Sequence, residues 1–323
     1  EIGVRLVGSE MCIRDRYDSM QSIAITLVLV LGLIILVISV LYSGQVVMPM
    51  KEVAGSIAMI SSGDFNETMQ ITGYSEAEDI SDKFNSMLSV LQNLEDARQE
   101  FVSNVSHELK TPITSVKVLA ESLIGQENVP VELYQEFMVD INEELERMNK
   151  IINDLLTLVK MDKNASEVNI SEVNINEFLE AILKQLQPIA DKRNIEMIFE
   201  SVRSVTAQVD EVKLAMAFRN LIENAIKYNY DNGWVRVSLN ADHKFFYLKV
   251  SDSGVGIPEE LQDSIFERFY RVDKARSRET GGNGLGLAIT RNAILLHRGS
   301  IKVHSIEQQG TTFAVRIPLM YSE

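Results

Sequence analysis

Hydrophobic and polar positions change their spacing twice along this chain. From Ile23 to Tyr42, twenty consecutive positions are uncharged and mostly apolar (IAITLVLVLGLIILVISVLY). At about 1.5 Å per residue such a helix is about 30 Å long, the thickness of a bilayer core, so a membrane-crossing segment is predicted over 23–42. A signal peptide is the competing reading, but the run exceeds a usual apolar h-region and no clear small-residue cleavage site follows. Two amphipathic stretches come next. Met50, Val53, Ile57 and Ile60, then Ile80, Phe84, Met87, Leu91 and Leu94, keep the three-four spacing of a coiled-coil seam. The stretch from Gly63 to Gly73 breaks the pattern between them. Two helices cannot bury both seams alone, so residues 43–96 are expected to pack only across a dimer.

The helical period then continues without a membrane-like run. Val102, Val105, Leu109, Val116, Ala120 and Leu123 mark one stripe on a helix from about Glu95 to Ile124. The connector Gly125–Pro130 permits reversal. Leu133, Phe137, Ile141, Leu145, Met148, Ile152, Leu155 and Val159 mark the stripe of a second helix. An isolated helical hairpin buries too little surface to be stable, whereas two hairpins complete a four-helix bundle. Residues 97–163 are therefore expected to form a homodimer. Beyond Met161 the period shortens. Runs rich in β-branched or aromatic residues (Ile195–Phe199, Val205–Val209, Trp234–Leu239, Phe245–Val250, Ser300–His304, Thr312–Ile317) alternate with helical stretches (Ile175–Lys192, Glu211–Tyr228, Glu259–Phe266, Leu285–Leu296). Residues 164–323 thus read as an α/β sandwich, one mixed sheet covered by helices on one face.

Composition narrows the chemistry. The chain has 323 residues, enough for several units, and a net charge of −15. That charge speaks against nonspecific nucleic-acid binding. A single cysteine, Cys12, rules out an intrachain disulfide and a cysteine zinc site. The four histidines (His107, His243, His297, His304) show no metal-ligand spacing, so a metal would have to be held by oxygen. The opening EIGVRLVGSEMCIRDR does not begin with Met. Its VGSEMCIRDR portion is similar to translated sequencing-adapter sequence, the native alternative being the tail of an extracellular sensor. Residues 1–22 therefore read as a truncated or artefactual N-terminus and carry no fold argument.

Candidate chemistry begins at His107. It lies two residues from both Val105 and Leu109, about 200° round the helix from each, so it points away from the packed stripe. An outward imidazole that is largely neutral near pH 7 can act as a nucleophile. Glu108 beside it could accept the other ring N–H, and Pro112 should bend the helix where the histidine is presented.

Four further clusters fall in the C-terminal region. On the helix containing Arg219–Tyr228, Asn220, Asn224 and Lys227 share a face: carboxamide oxygens suit Mg²⁺ and a lysine suits phosphate. Asp252-Ser-Gly254-Val-Gly256 follows a predicted strand, where a carboxylate could accept from an exocyclic amine and glycines permit close approach. Phe266–Arg271 is an aromatic-basic cluster. Gly281-Gly282-Asn283-Gly284-Leu285-Gly286 opens a helix and offers N–H groups to phosphate. It is neither a dinucleotide fingerprint nor a Walker loop. The polar, basic segment Arg271–Thr280 is expected to form a flap.

Together, His107-Glu108-Leu109-Lys110-Thr111-Pro112 and these four clusters resemble the phosphoacceptor box and the N, first glycine, F and second glycine boxes of membrane sensor histidine kinases of two-component systems. The resemblance covers about Val46 to the C-terminus. It implies a HAMP linker over 43–96, a HisKA-type dimerisation and phosphotransfer domain over 97–163, and a HATPase_c-type, Bergerat-type ATP-binding fold over 164–323. It also implies that His107 takes the γ-phosphoryl group of ATP, with Glu108 as general base or orienter, and passes it to an aspartate of a cytoplasmic response regulator. Thr111 would assist a phosphatase reaction. ATP would be held by Asn220, Asn224, Lys227, Tyr228, Asp252, Gly254, Gly256, Arg271, Gly282, Gly284, Leu285 and Gly286, with Mg²⁺ on Asn224. The flanking charges do not orient the span, so the C-terminal side is assigned to the cytoplasmic face of the plasma membrane from the expected ATP use. A nucleotide-binding scaffold without phosphoryl transfer is the alternative, and an ATP-driven clamp a third.

Overall fold

The computed structural model describes residues 2–44, 51, 54–55, 75–125, 129–163, 168–272 and 282–321. Half of the expected HAMP linker (residues 45–50, 52–53 and 56–74), Gly281 and residues 273–280 of the expected flap lie outside these. The chain divides into two compact units, residues 1–100 and 101–323.

In the first unit, helix α1 spans Ile2–Tyr42. Within its portion Arg16–Tyr42 the most apolar 18-residue stretch has a mean hydropathy of 3.2, and none of that stretch is buried within the chain. Val28 and Leu29, for instance, are each 68% exposed. By length and composition this portion can cross a membrane, as the sequence predicts. Helix α2, Ser75–Ile124, begins in this unit. Three of its seam residues there (Ile80, Met87, Leu94) are exposed in the single chain.

In the second unit, α2 continues through Pro112 as the same helix and is followed by α3, Val131–Lys163. Thr111 Oγ1 donates to the carbonyl of His107, one turn back. Helix α3 has two apolar faces where the sequence pattern shows one. The expected seam is only partly covered, with Leu145, Ile152 and Val159 exposed. A second row, Ile151, Leu158 and Met161, is buried, and Leu158 and Met161 belong to the core of the C-terminal lobe.

That lobe is the expected α/β sandwich. Strand β1 (Ser171–Asn174) leads into helix α4 (Ile175–Asp191), then β2 (Glu196–Ser201), β3 (Thr206–Val209) and helix α5 (Glu211–Lys227). Strands β4 (Trp234–Ala241) and β5 (Phe245–Asp252), helix α6 (Gly286–Leu296), and strands β6 (Ser300–Ile306) and β7 (Gly310–Pro318) complete it. The main sheet runs β2-β4-β5-β7-β6, parallel between β2 and β4 and antiparallel elsewhere. Period-two alternation sends Val235, Val237 and Leu239, then Phe246, Leu248 and Val250, then Phe313, Val315 and Ile317 to the inner face. Against them pack the buried sides of α4, α5 and α6, including Leu179, Phe218, Leu221 and Ile289.

Two elements differ from expectation. Ser171–Asn174 is a strand despite its polar sequence, because it pairs antiparallel with β3. The stretch Glu259–Phe266 forms two 3₁₀ turns, Glu259–Leu261 and Ser264–Phe266, instead of a helix. Between them Gln262 Nε2 donates to the carbonyls of Ile257 and Ser305, tying the segment to β6 in tight turns.

A buried histidine joins the ends of two helices. His297, 1% exposed, accepts the Asp210 N–H at Nε2 and places Nδ1 2.7 Å from the Ala293 carbonyl, so Nδ1 is the protonated nitrogen. Asp210 in turn caps α5 through Lys213 N. Burial holds the His297 pKa below its ordinary 6.5. Only the unfolded chain therefore gains this proton as pH falls from about 6.5 toward the lowered folded value, and stability declines over that window. His297→Phe should lose about 1–3 kcal/mol at pH 7.5 by orphaning the Asp210 N–H. The gap between wild type and variant should narrow at pH 5.5, as read by thermal melts of both proteins.

Candidate functional site

Strand alternation builds the floor of the site. Asp252 follows Phe246, Leu248 and Val250 at two-residue spacing, so the inner-face direction delivers its carboxylate to the end of the core, where it is 8% exposed. Its Oδ1 accepts N–H bonds from Gly254 (2.9 Å) and Thr311 (3.2 Å). Burial outweighs these bonds and pushes the carboxyl pKa up to about 6. The surrounding turn must be glycine. At Gly256, with φ +71°, a Cβ would fall 2.2 Å from the Ile306 carbonyl oxygen, and at Gly254 one would fall 2.3 Å from that of Tyr228.

Asp252 opens into a cavity of about 380 Å³, in the size range of small-molecule sites. Helix α5 lines one wall with Asn220, Asn224, Lys227 and Tyr228. The Asn220 amide donates to the Gly286 carbonyl, fixing this helix against the start of α6. The Asn224 carboxamide, half-buried, makes no hydrogen bond among the described residues. Burial, then the charge of Lys150, lower the Lys227 pKa to about 8, with Arg271 and Arg147 adding to the effect. Cations crowded this way favour an anion between them.

The glycine-rich segment forms the far wall. Gly282, Gly284 and Gly286 line the cavity. Gly284 takes φ +71° and accepts the Phe269 N–H, locking the aromatic cluster to this segment. Helix α6 starts at Gly286 with no side chain capping its first turn, so its first N–H groups remain available. Leu285 does not line the cavity. Its side chain is fully buried in the core, and its N–H donates to Asn283 Oδ1. Gly254 lies under the floor, not on the cavity surface.

The helical hairpin supplies the fourth wall, which sequence reasoning missed. Lys150 and Asp154 of α3 line the cavity. Asn283 Nδ2 donates to Asp154 Oδ2 at 2.6 Å, and Lys150 Nζ lies 3.6 Å from Glu223. Ile151 and Leu158, beside the recognised seam, were the available signal for this second face. Thr311 was missed as well, although Gln309-Gly310 between two strand patterns marks the hairpin that presents it.

His107 is exposed on α2. It borders a groove with Lys110, Thr111, Thr114 and Val118, separate from the cavity. Its neighbour Glu108 reaches toward the lobe: Arg271 Nη1 lies 3.4 Å from Glu108 Oε1. The Arg271 side chain is 7% exposed and borders the cavity, while its Nε and Nη2 have no hydrogen-bond partner among the described residues. Phe101 and Phe269 rings, 5.8 Å apart, pack beside this contact.

Residues 97–164 match the His Kinase A (phospho-acceptor) domain, and residues 209–320 the histidine kinase-, DNA gyrase B-, and HSP90-like ATPase domain. By domain content the chain belongs to the sensor histidine kinases. The sensor protein kinase WalK of Staphylococcus epidermidis is 36% identical over 281 residues, covering 85% of this chain and 44% of that protein. A Staphylococcus aureus WalK is 37% identical over 276 residues, covering 83% of this chain and 64% of the relative. The chain thus spans less than two thirds of the length of these curated relatives. Among solved structures, histidine kinase ThkA in complex with response regulator protein TrrA shares the fold, with a TM-score of 0.57 at 24% identity over 71% of this chain and 64% of that one.

The kinase fold keeps Asp252 ionised at a cost. Its folded pKa of about 6 lies above the ordinary 3.8, so the stability linked to its proton is present at low pH and lost as pH rises through about 6. Asp252→Asn preserves the acceptor for Gly254 and Thr311. At pH 7.5 it should raise stability by up to about 3 kcal/mol, read by denaturant unfolding.

Proposed function

We propose that this chain is an ATP-dependent protein-histidine kinase that phosphorylates its own His107 and passes the phosphoryl group to an aspartate of a response regulator. One observation carries the reading. A glycine-walled cavity with a buried carboxylate at one end meets, through the Arg271–Glu108 pair, the helix that exposes His107. Asp252 would accept the adenine amine. Lys227 and the open N–H groups of α6 would hold phosphates, with Gly282 leaving room beside the Lys227 ammonium, since a Cβ there would fall 2.7 Å from Nζ. A ring nitrogen of His107 attacks the γ-phosphorus, the bond to the β,γ-bridging oxygen breaks, and ADP leaves with that electron pair. Glu108 takes or orients the proton of the other ring nitrogen. Arg271 offers Nε and Nη2 to the transferring group, since phosphoryl transfer needs alignment and charge neutralisation above all.

The Asn224 carboxamide fits Mg²⁺: it is a hard oxygen donor, lines the cavity and has no partner among the described residues. Bound there, the ion would supply charge neutralisation to the phosphates. The groove at His107 suits a response regulator, the class of partner in the ThkA complex, and Thr111 on that groove supports the phosphatase reading. The apolar Arg16–Tyr42 helix supports anchoring in the plasma membrane with the kinase portion cytoplasmic. The HAMP reading of 43–96 and the domain limits at 97, 163 and 164 belong to the same proposal.

Incubation of the chain with γ-labelled ATP and Mg²⁺ should give an acid-labile, base-stable label that His107→Gln abolishes. Bound ATP without label would favour the scaffold, and phosphate release without phosphoenzyme the clamp. Nucleotide affinity should fall as pH drops below about 6, because protonated Asp252 no longer offers a free acceptor. Titration with a fluorescent ATP analogue should show this, and Asp252→Asn should bind weakly at every pH.

The half-covered seam of α3 supports a homodimer. Ile152, 40% exposed in the single chain, should be buried by the second copy. Ile152→Asp should shift the detergent-solubilised protein from dimer to monomer by light scattering, while the lobe keeps its nucleotide affinity.

A further inference from the structure

Arg193 lies outside the cavity, in the loop after α4, yet its guanidinium gathers the end of α5. Nη1 donates to the carbonyls of Ile226 and Lys227, both at 2.8 Å, and Nη2 to that of Asn229 at 2.8 Å. Nε donates to Asp231 at 2.9 Å. The last carbonyls of a helix have no partner within it, and the C-terminal end of the macrodipole favours a cation. A planar fork with five donors can serve three converging carbonyls at once; an ammonium cannot match that geometry.

The turn so gathered leads directly to both ends of the site. It carries Asn224 and Lys227, and Tyr228 follows as the cap of the helix. The Tyr228 carbonyl accepts the Val255 N–H from the Asp252–Gly256 turn. Asn229, 1% exposed, donates through Nδ2 to the Trp234 carbonyl and accepts from Ser253 Oγ through Oδ1. Ser253 Oγ also accepts the Trp234 N–H. One guanidinium thus fixes where α5 stops, and that stop sets the Lys227 ammonium relative to the Asp252 carboxylate.

We infer that Arg193 is a positioning residue for nucleotide, holding the phosphate end and the base end of the site at their working separation. The inference rests on the kinase reading above. Without Arg193 the last turn of α5 frays. Ground-state and transition-state binding then weaken alike, so KM rises while kcat changes little.

The test is autophosphorylation kinetics of the full chain in detergent, run well below its melting temperature, beside titration with a fluorescent ATP analogue. Loss of several charge-assisted bonds should raise the KM for ATP about tenfold in Arg193→Ala, with kcat within about threefold. Arg193→Lys, which restores charge without the fork, should fall between. Asp231→Asn removes only an exposed ion pair and should stay within about twofold of wild type. A lower melting temperature in Arg193→Ala with unchanged KM and analogue affinity would overturn the inference and leave a purely structural role. Should Arg193→Ala not fold, an unchanged KM in Arg193→Lys overturns it equally. Failure of wild type to bind the analogue at all would sink the kinase reading itself, whatever the variants do.

Discussion

The burial of one carboxylate by strand alternation is the constraint on which the site depends. Asp252 continues the inner-face series of β5, so the rule that places Phe246, Leu248 and Val250 in the core also places an acid there. The desolvation this imposes is only partly offset by the N–H groups of Gly254 and Thr311. A buried charge with spare acceptor capacity favours a ligand that donates to it. The glycines around it follow from the same crowding, since backbone from β6 and α5 passes where side chains would otherwise stand.

The two domains of the second unit are not independent bodies joined by a tether. Leu158 and Met161 of α3 complete the core of the ATPase lobe, and Lys150 and Asp154 of the same helix line its cavity. The helix bearing His107 and the glycine-walled cavity are therefore held in one unit, with Arg271 reaching Glu108 beside the exposed His107. Under the proposed kinase reading, proximity of this kind would replace an encounter between separate partners by a rearrangement within one unit.

Much of this was legible in the chain. The period of two in β4, β5 and β7, the outward direction of His107 and the shared face of Asn220, Asn224 and Lys227 all follow from spacing. What spacing could not give was contact between distant segments. The polar strand Ser171–Asn174 exists only because β3 pairs with it. Glu259–Phe266 stays in 3₁₀ turns because Gln262 is tied to β6. Leu285 sits among cavity-forming glycines but points into the core, which local sequence does not distinguish from the opposite direction. The second face of α3 was hidden because Ile151 and Leu158 lie one position from the seam residues Ile152 and Val159, and a broad apolar stripe reads as one surface.

The short bond between Asn283 and Asp154 links the glycine-rich segment directly to α3. Thermodynamic reciprocity then applies. If a change in helix posture loosens that bond and alters nucleotide affinity, an arriving nucleotide must bias helix posture by an equal free energy. Under the proposed kinase reading, helix posture and nucleotide supply would in that case act on one shared equilibrium, each setting the threshold at which the other is felt.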